Sequence, residues 1–246
     1  MYPKTIRLFV SLLAFCLYGP VWADNNRDDQ LFKINSPLHP PIVTEQHDGF
    51  EDRLAMELFT RLGLKPVIEN VPAERGLRNL DQGIDDAILS RVAGLEKFYP
   101  NIVMIDEVAN QRDYVAFTRN NIVIRNWDDL KNYDVAHIIG WKIFDNHADK
   151  YRTLIKVREP EQLFQLLERD RVDVVLYGLA AGQWMIRELG ISNIHPVHPP
   201  LARKNKYFYL NKKHAHLVPK ANEVLRQIKQ DGTYNKLQIR SVKGNE

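Results

Sequence analysis

Between residues 159 and 178 the spacing of apolar side chains changes period once. Leu163, Leu166 and Leu167 fall at i, i+3 and i+4, a single apolar stripe that predicts a helix. Pro160 suits its first turn, where a missing N–H has no partner to lose. The charged run 168–171 ends it, and 172–177 comes next as a nearly continuous apolar run, the signature of a parallel strand covered on both faces. Gly178, Ala180 and Ala181 then leave the carboxyl end of that strand uncrowded. The same unit occurs earlier: residues 74–90 carry a stripe at Leu77 and Leu80, a polar break at Gly83 and a strand over 84–89. Aligning Asp86 with Asp173 sets the two units 87 positions apart. Helix–turn–strand units occur in every α/β protein, so the match is weak alone, but an internal repeat sets the whole architecture.

Taken in order, the remaining periodicity predicts strands over 31–35, 65–70, 101–105, 114–118, 134–139, 155–157, 194–197 and 206–210. Helices are predicted over 49–62, with Gly63 as its cap, from about Gly140 to Leu154, over 183–189 and over 219–230, where Asp231 to Tyr234 closes the last one. A proline-stiffened loop follows the first strand, a short helical turn covers 127–130, and 106–112 and 199–205 read as polar connectors. The order βαβαβ, connector, βαβαβ, connector, strand and helix implies two α/β lobes joined by two crossings, in preference to one doubly wound sheet.

The first residues read differently. Lys4 and Arg7 precede an apolar run, Gly19-Pro20 breaks it, and Val21-Trp22-Ala23 puts a small residue before Asp24. That is the pattern of a secretory signal, residues 1–23, cleaved after Ala23. The run is shorter than the roughly 20 apolar residues that span a bilayer, and bulky Phe15 before Cys16 argues against a lipid anchor. Without Lys4 and Arg7, the 34 basic residues become 32 against 31 acidic ones, so the overall positive charge says nothing about nucleic acid. No basic stripe interleaved with aromatics is present either. The single cysteine, Cys16, is lost with the signal, which leaves an exported protein held by its apolar core. No Cys/His spacing suggests a metal site, and His214-Ala215-His216 reads as a solvated loop.

Five segments together resemble a known family. They are Gly49-Phe50-Glu51-Asp52-Arg53-Leu54 through Leu62-Gly63-Leu64, then Leu80-Asp81-Gln82-Gly83-Ile84-Asp85-Asp86-Ala87, Trp127-Asp128-Asp129-Leu130-Lys131, Arg171-Val172-Asp173-Val174-Val175, and Lys229-Gln230-Asp231-Gly232-Thr233-Tyr234-Asn235-Lys236. In this order the chain resembles the bacterial periplasmic solute-binding proteins of family 3, the type serving polar amino acid uptake by ABC transporters. The resemblance implies an α/β, two-lobed periplasmic-binding-protein-like (type II) fold, each lobe a small mixed sheet flanked by helices. Lobe one would be residues 24–107 and 206–246 and lobe two 113–202, with 108–112 and 203–205 as hinge connectors. Closure about the hinge would bury a small solute.

The expected ligand contacts depart from the family's pattern. Its amino-acid binders present an arginine after a Thr-rich loop; here the loop starts Ser90-Arg91 and has no such threonines. Arg91 could still grip a carboxylate through two parallel hydrogen bonds. Where the family places an acid for the ligand's amine, this chain has Tyr177-Gly178, which puts a standard α-amino acid in doubt. Ala73 replaces an aromatic wall, beside the cleft candidates Glu74 and Arg75. Gly140-Trp141-Lys142 matches the family's ligand loop in lobe two, where free N–H groups at a helix start would favour an anion and Trp141 could stack on the solute. His39 faces the cleft by analogy alone.

These residues imply a periplasmic protein that captures a small polar, carboxylate-bearing solute for an ABC permease, with no cofactor and no chemistry of its own. A component that reports the solute to a membrane receptor is the alternative. A dehydratase-like enzyme on the same scaffold would need Glu74 or His39 as its acid or base.

Overall fold

The computed structural model describes residues 31–243. The expected signal, its cleavage point after Ala23 and Cys16 lie outside them. In order the chain forms β1 (Leu31–Ser36), α1 (Phe50–Arg61), β2 (Lys65–Asn70), α2 (Ala73–Asp81), β3 (Ala87–Arg91), β4 (Ile102–Met104), β5 (Asn110–Thr118), β6 (Asp134–Ile138), α3 (Lys142–Asp145), β7 (Thr153–Val157), α4 (Pro160–Glu168), β8 (Val174–Gly178), α5 (Leu179–Glu188), β9 (His195–Pro196), β10 (Ala202–Asn211), α6 (Val218–Gln230) and α7 (Thr233–Lys243).

The strands follow one path, β2-β1-β3-β10-β5-β8-β6-β7, with β4 added on β10 and β9 on β5. It is nonetheless two sheets that share a strand. Residues 202–206 of β10 pair antiparallel with 110–114 of β5, while 207–211 pair with β3 and β4. Each half has three parallel strands, β2-β1-β3 and β7-β6-β8, closed by one antiparallel neighbour.

The repeat is visible in atomic detail. The Lys33 N–H donates to Asp86 Oδ2 at 2.8 Å, and the Asp86 N–H donates back to the Lys33 carbonyl at 2.8 Å. In the other half the Asp134 N–H donates to Asp173 Oδ2 at 2.9 Å and the Asp173 N–H to the Asp134 carbonyl at 2.9 Å. Each aspartate sits one residue before its own strand and clamps the parallel strand beside it.

The apolar stripes pack where their periods place them. In the first half α1 and α6 cover one face, burying Phe32, Leu54, Phe59 and Leu225, and α2 covers the other with Leu77, Leu80, Ile88 and Tyr209. In the second half α4 and α5 bury Leu163, Leu167, Phe117 and Met185 on one face, and Leu130, Val135 and Phe144 fill the opposite one. Among the described residues no core cluster draws side chains from both halves.

Three expectations need correction. The two polar connectors run into strand at their carboxyl halves, because 110–114 and 202–206 form a ladder. Its polar side chains pair across the strands: Gln111 Nε2 with Asn205 Oδ1 at 2.9 Å, and Arg203 with both oxygens of Asp113 at 2.5 and 2.8 Å. The helix expected from Gly140 to about Leu154 is the single turn α3, followed by a tight turn at Ala148–Lys150 and then β7. Here the chain is held by tertiary contacts, Tyr151 donating to the Phe144 carbonyl at 2.8 Å and Trp127 stacking on His147 at 3.9 Å. Finally, Asp231-Gly232 ends α6 but also starts α7: Gly232 takes φ 82° and Asp231 Oδ1 accepts the Thr233 N–H at 2.8 Å, an N-cap interaction.

Candidate solute cleft

The carboxyl ends of β1, β3 and β6 and the start of α5 all face the gap between the halves, the edge at which open α/β sheets take ligands. Two cavities of about 470 and 260 Å³ lie there, and both touch His39, Arg112 and Tyr114. The larger is lined by Ala73, Ser90, Arg91, Trp141, Lys204 and Lys206 among others, the smaller by Asn110, Gln183 and the α5 start at Gly178–Ala181.

Arg91 reaches the gap through an irregularity in β3. Tyr207 pairs with Arg91 and Tyr209 with Ile88, so Leu89 and Ser90 stand opposite Phe208 alone. This is a β-bulge, a device that re-aims a side chain. Ser90 accommodates it with φ 60°, a left-handed conformation a β-carbon disfavours. Arg91 is 9% exposed. Its Nη1 donates to the Ser90 carbonyl at 3.3 Å, whereas Nε and Nη2 have no partner among the described residues. Those two nitrogens form the side edge of the guanidinium, which matches a carboxylate bidentately. Burial lowers the Arg91 pKa to about 10, with Arg112 acting in the same direction and Glu51 opposing, so the group remains charged at neutral pH.

The crossing ladder supplies the other cations. Alternation along a strand puts Asn110, Arg112 and Tyr114 on one face and, on the paired strand, Lys204 and Lys206 directly opposite Arg112 and Asn110. Below them lies Glu51, fully buried in the first turn of α1. Its Oε1 accepts from Ser90 Oγ, Asn110 Nδ2 and Arg112 Nη2, each at 3.1 Å, while Oε2 is unpartnered among the described residues. Arg112 Nη2 also contacts Ser90 Oγ. Lys206 is 9% exposed, and burial, followed by Arg112, brings its pKa down to about 8. The same cations act on His39: burial first, then Arg112 and Lys206, push its pKa down to about 3, so the imidazole is neutral.

Aromatic rings form the opposite wall. Trp141 stacks on Tyr177 at 4.9 Å and on Phe144 at 5.7 Å, meets Tyr114 edge-on at 6.3 Å, and approaches His39 across the gap at 6.4 Å.

Of the residues singled out by sequence, the structure brings Ser90, Arg91, His39 and Trp141 together on the larger cavity. Tyr177 lies one layer back, buried beneath Trp141, and lines neither cavity. Glu74 and Arg75 sit exposed on α2, where Glu74 pairs with Arg78 at 3.2 Å and accepts from the Tyr99 hydroxyl. Gly140 and Lys142 are exposed and outside both linings. Two of the amides expected to be free after Gly140 are used internally: Trp141 N–H donates to the Ile138 carbonyl at 3.3 Å and Lys142 N–H to that of Gly140 at 3.0 Å. Sequence reasoning missed Glu51, Arg112, Lys204 and Lys206. The available signal was the i, i+2 spacing of the two lysines and of Asn110, Arg112 and Tyr114, the period of a strand with one polar face.

No protein-family model matches the chain. An uncharacterised protein of Shewanella oneidensis is 25% identical over 198 residues, covering 77% of this chain and 75% of that protein. The L-cystine-binding protein TcyA of Bacillus subtilis is 20% identical over 224 residues, 89% and 83% of the two chains. Among solved structures, the probable amino-acid ABC transporter extracellular-binding protein YtmK of Bacillus subtilis superposes with a TM-score of 0.72 at 21% identity, over 87% of this chain and 98% of that one. The GluR0 ligand-binding core in complex with L-glutamate gives 0.73 at 14% identity, with the same 87% and 98% coverage. A histidine kinase sensor domain similar to periplasmic binding proteins gives 0.68 at 17%, over 85% and 95%. The chain has the periplasmic-binding-protein-like fold and resembles the family 3 solute-binding proteins. Among the described residues no helix is long and apolar enough to cross a membrane.

Proposed function

We propose that this protein is an extracytoplasmic solute-binding protein that captures a small carboxylate-bearing molecule between its two lobes and delivers it to an ABC-type importer. The observation that carries the reading is Arg91. A guanidinium 9% exposed that lines a cavity, with Nε and Nη2 unpartnered among the described residues, is a costly arrangement for an empty protein, and a bound carboxylate would relieve it. Trp141 and Tyr114 give the solute an apolar wall, and His39 stays neutral beside it. TcyA binds L-cystine by its name, and YtmK is described as a transporter's binding protein, which supports uptake as the role. The site does no chemistry in this reading. Asp113, the carboxylate among the lining residues, is held by Arg203, and Glu51 lies below the lining with one oxygen carrying three donors.

A thermal-shift screen of the purified protein against monocarboxylic and dicarboxylic acids, amino acids, polyamines and sugars tests this. Carboxylates are expected to raise Tm by ligand linkage, by about 2.7 kcal/mol of stability at a hundredfold excess over Kd. Arg91→Ala is expected to abolish the gain and Arg91→Lys to keep part of it. A gain that survives Arg91→Ala, or one given by sugars or polyamines alone, refutes the proposal.

A further inference from the structure

Resting on the Arg91 reading, we propose a narrower solute class: a short dicarboxylate that carries no ammonium group. The inference comes from the charge left over in the cleft. Arg112 is matched by Glu51 at 3.1 Å. Arg91 and Lys206 are each only 9% exposed, both line the larger cavity, and neither forms an ion pair among the described residues. A monocarboxylate seated on Arg91 would leave Lys206 buried with only Glu51, already paired with Arg112, to balance its charge, an expensive state that a second carboxylate relieves.

The cavity, not the strand register, brings the two cations together. Arg91 on β3 pairs with Tyr207, the residue after Lys206, so the two side chains leave opposite faces of the sheet and meet at the cavity that both line. That cavity, about 470 Å³, holds a solute of a few carbons. Lys204, exposed at the mouth and opposite Arg112, extends the cationic row outward.

The same inventory argues against an amino acid. An ammonium needs an acceptor with spare capacity. The lining carboxylate, Asp113, already carries Arg203 at 2.5 and 2.8 Å, and it belongs to the smaller cavity. The larger cavity offers a solute's nitrogen neutral acceptors such as Ser90 and His39 but no lining carboxylate, and it sets four cations, Arg91, Arg112, Lys204 and Lys206, against it. An ammonium between Arg91 and Lys206 would therefore weaken binding.

Calorimetric titration of the full chain decides the matter, with the probes malonate, succinate, glutarate and adipate, their monocarboxylate counterparts from acetate to valerate, L-glutamate, and methylphosphonate. The expected result is that at least one dicarboxylate binds about ten- to a hundredfold more tightly than its monocarboxylate counterpart, the worth of a second charge-assisted contact, and that glutarate outcompetes L-glutamate. Lys206→Gln should weaken dicarboxylates at least tenfold more than monocarboxylates, which erases the dicarboxylate's advantage, and Lys206→Arg should restore it. Three results overturn the inference: monocarboxylates binding as tightly as dicarboxylates, L-glutamate binding more tightly than glutarate, or methylphosphonate surpassing every dicarboxylate. If monocarboxylates bind through Arg91 with no dicarboxylate preference, the inference falls and the carboxylate reading stands. If no carboxylate binds at all, both fall.

Discussion

Lys206 carries an ammonium on an almost fully enclosed side chain, with Arg112, Arg91 and Lys204 all acting to expel its proton and Glu51 alone holding it. Its pKa in the fold is about 8, whereas the unfolded chain keeps the proton to about 10.4. Between those values the unfolded state binds more protons, so this residue makes stability rise with pH across that window. Below pH 8 both states are protonated and the whole penalty persists, on the order of 3 kcal/mol as an upper bound. Lys206→Met is therefore expected to raise the Tm of the unliganded protein by several degrees at pH 7, the difference from wild type shrinking between pH 8 and 10. Paired thermal melts across pH check this; a variant less stable than wild type at pH 7 would contradict it. At this scale the sequence was half legible. Arg91 and Trp141 announce themselves because they follow strand ends, where ligands bind. Arg112, Lys204 and Lys206 lie in segments whose polarity reads as connector, and charge on a connector is ordinarily solvated. Glu51 was hidden by its place in a helix whose apolar residues define the stripe, since nothing in its spacing reveals that its carboxylate points inward.

Helix α5 shows how an element can be fixed by one small residue. Its first turn lines the smaller cavity, and its middle packs through Gly182 onto β5. A β-carbon at Gly182 would lie 2.2 Å from Phe117 Cζ and 2.5 Å from Cε2. Phe117 is fully buried and meets Phe164 edge-on at 5.4 Å, so it has nowhere to move. In an open helix, replacing Gly by Ala would stabilise by about 1 kcal/mol. Here overpacking, typically about 1–3 kcal/mol, outweighs that gain. Gly182→Ala should thus lower Tm and weaken carboxylate binding together, since α5 can relieve the clash only by shifting its first turn. Circular-dichroism melts and titration of the variant measure both; an unchanged or raised Tm would show that the helix moves freely. Elements with a clean period were readable in advance: α1, α4 and α6 follow their stripes, and β2 runs as expected from Lys65 to Asn70. The failures fall where tertiary contacts override local pattern. Residues 146–150 have neither an apolar stripe nor strong helix formers beyond Ala148 and Lys150, and the chain obeys the Tyr151 and Trp127 contacts instead. Asp231-Gly232 is a genuine stop, but Asp231 also caps α7, and a stop signal alone does not say that a helix restarts.

At the scale of the molecule, the two halves have separate cores and are joined by a ladder that also forms a wall of the cleft. One face of that ladder is well paired, through Gln111–Asn205 and Asp113–Arg203. The other sets Lys204 directly opposite Arg112, and like charges facing each other across a strand pair weaken it. Glu51 offsets part of this repulsion by pairing with Arg112 at 3.1 Å, while Lys204 has no ion pair among the described residues. In the proposed reading, an anion between the halves would offset that repulsion, meet Trp141 of one half and Arg91 of the other, and favour a shut arrangement by its differential contacts with it. Two measurements on a carboxylate that binds test this. The radius of gyration from solution scattering should fall on saturation. Backbone amide exchange should slow across residues 110–114 and 202–206 more than in the outer strands β2 and β7, because only the ladder gains both a counter-charge and a fixed angle. Slowed exchange confined to β3 and the loop after β1, with an unchanged radius, would mean that one half holds the solute alone and that the ladder is a passive link. Adding Lys204→Glu should mimic part of the ligand's effect on the ladder: the cross-strand pair becomes attractive, and exchange there slows without any solute present.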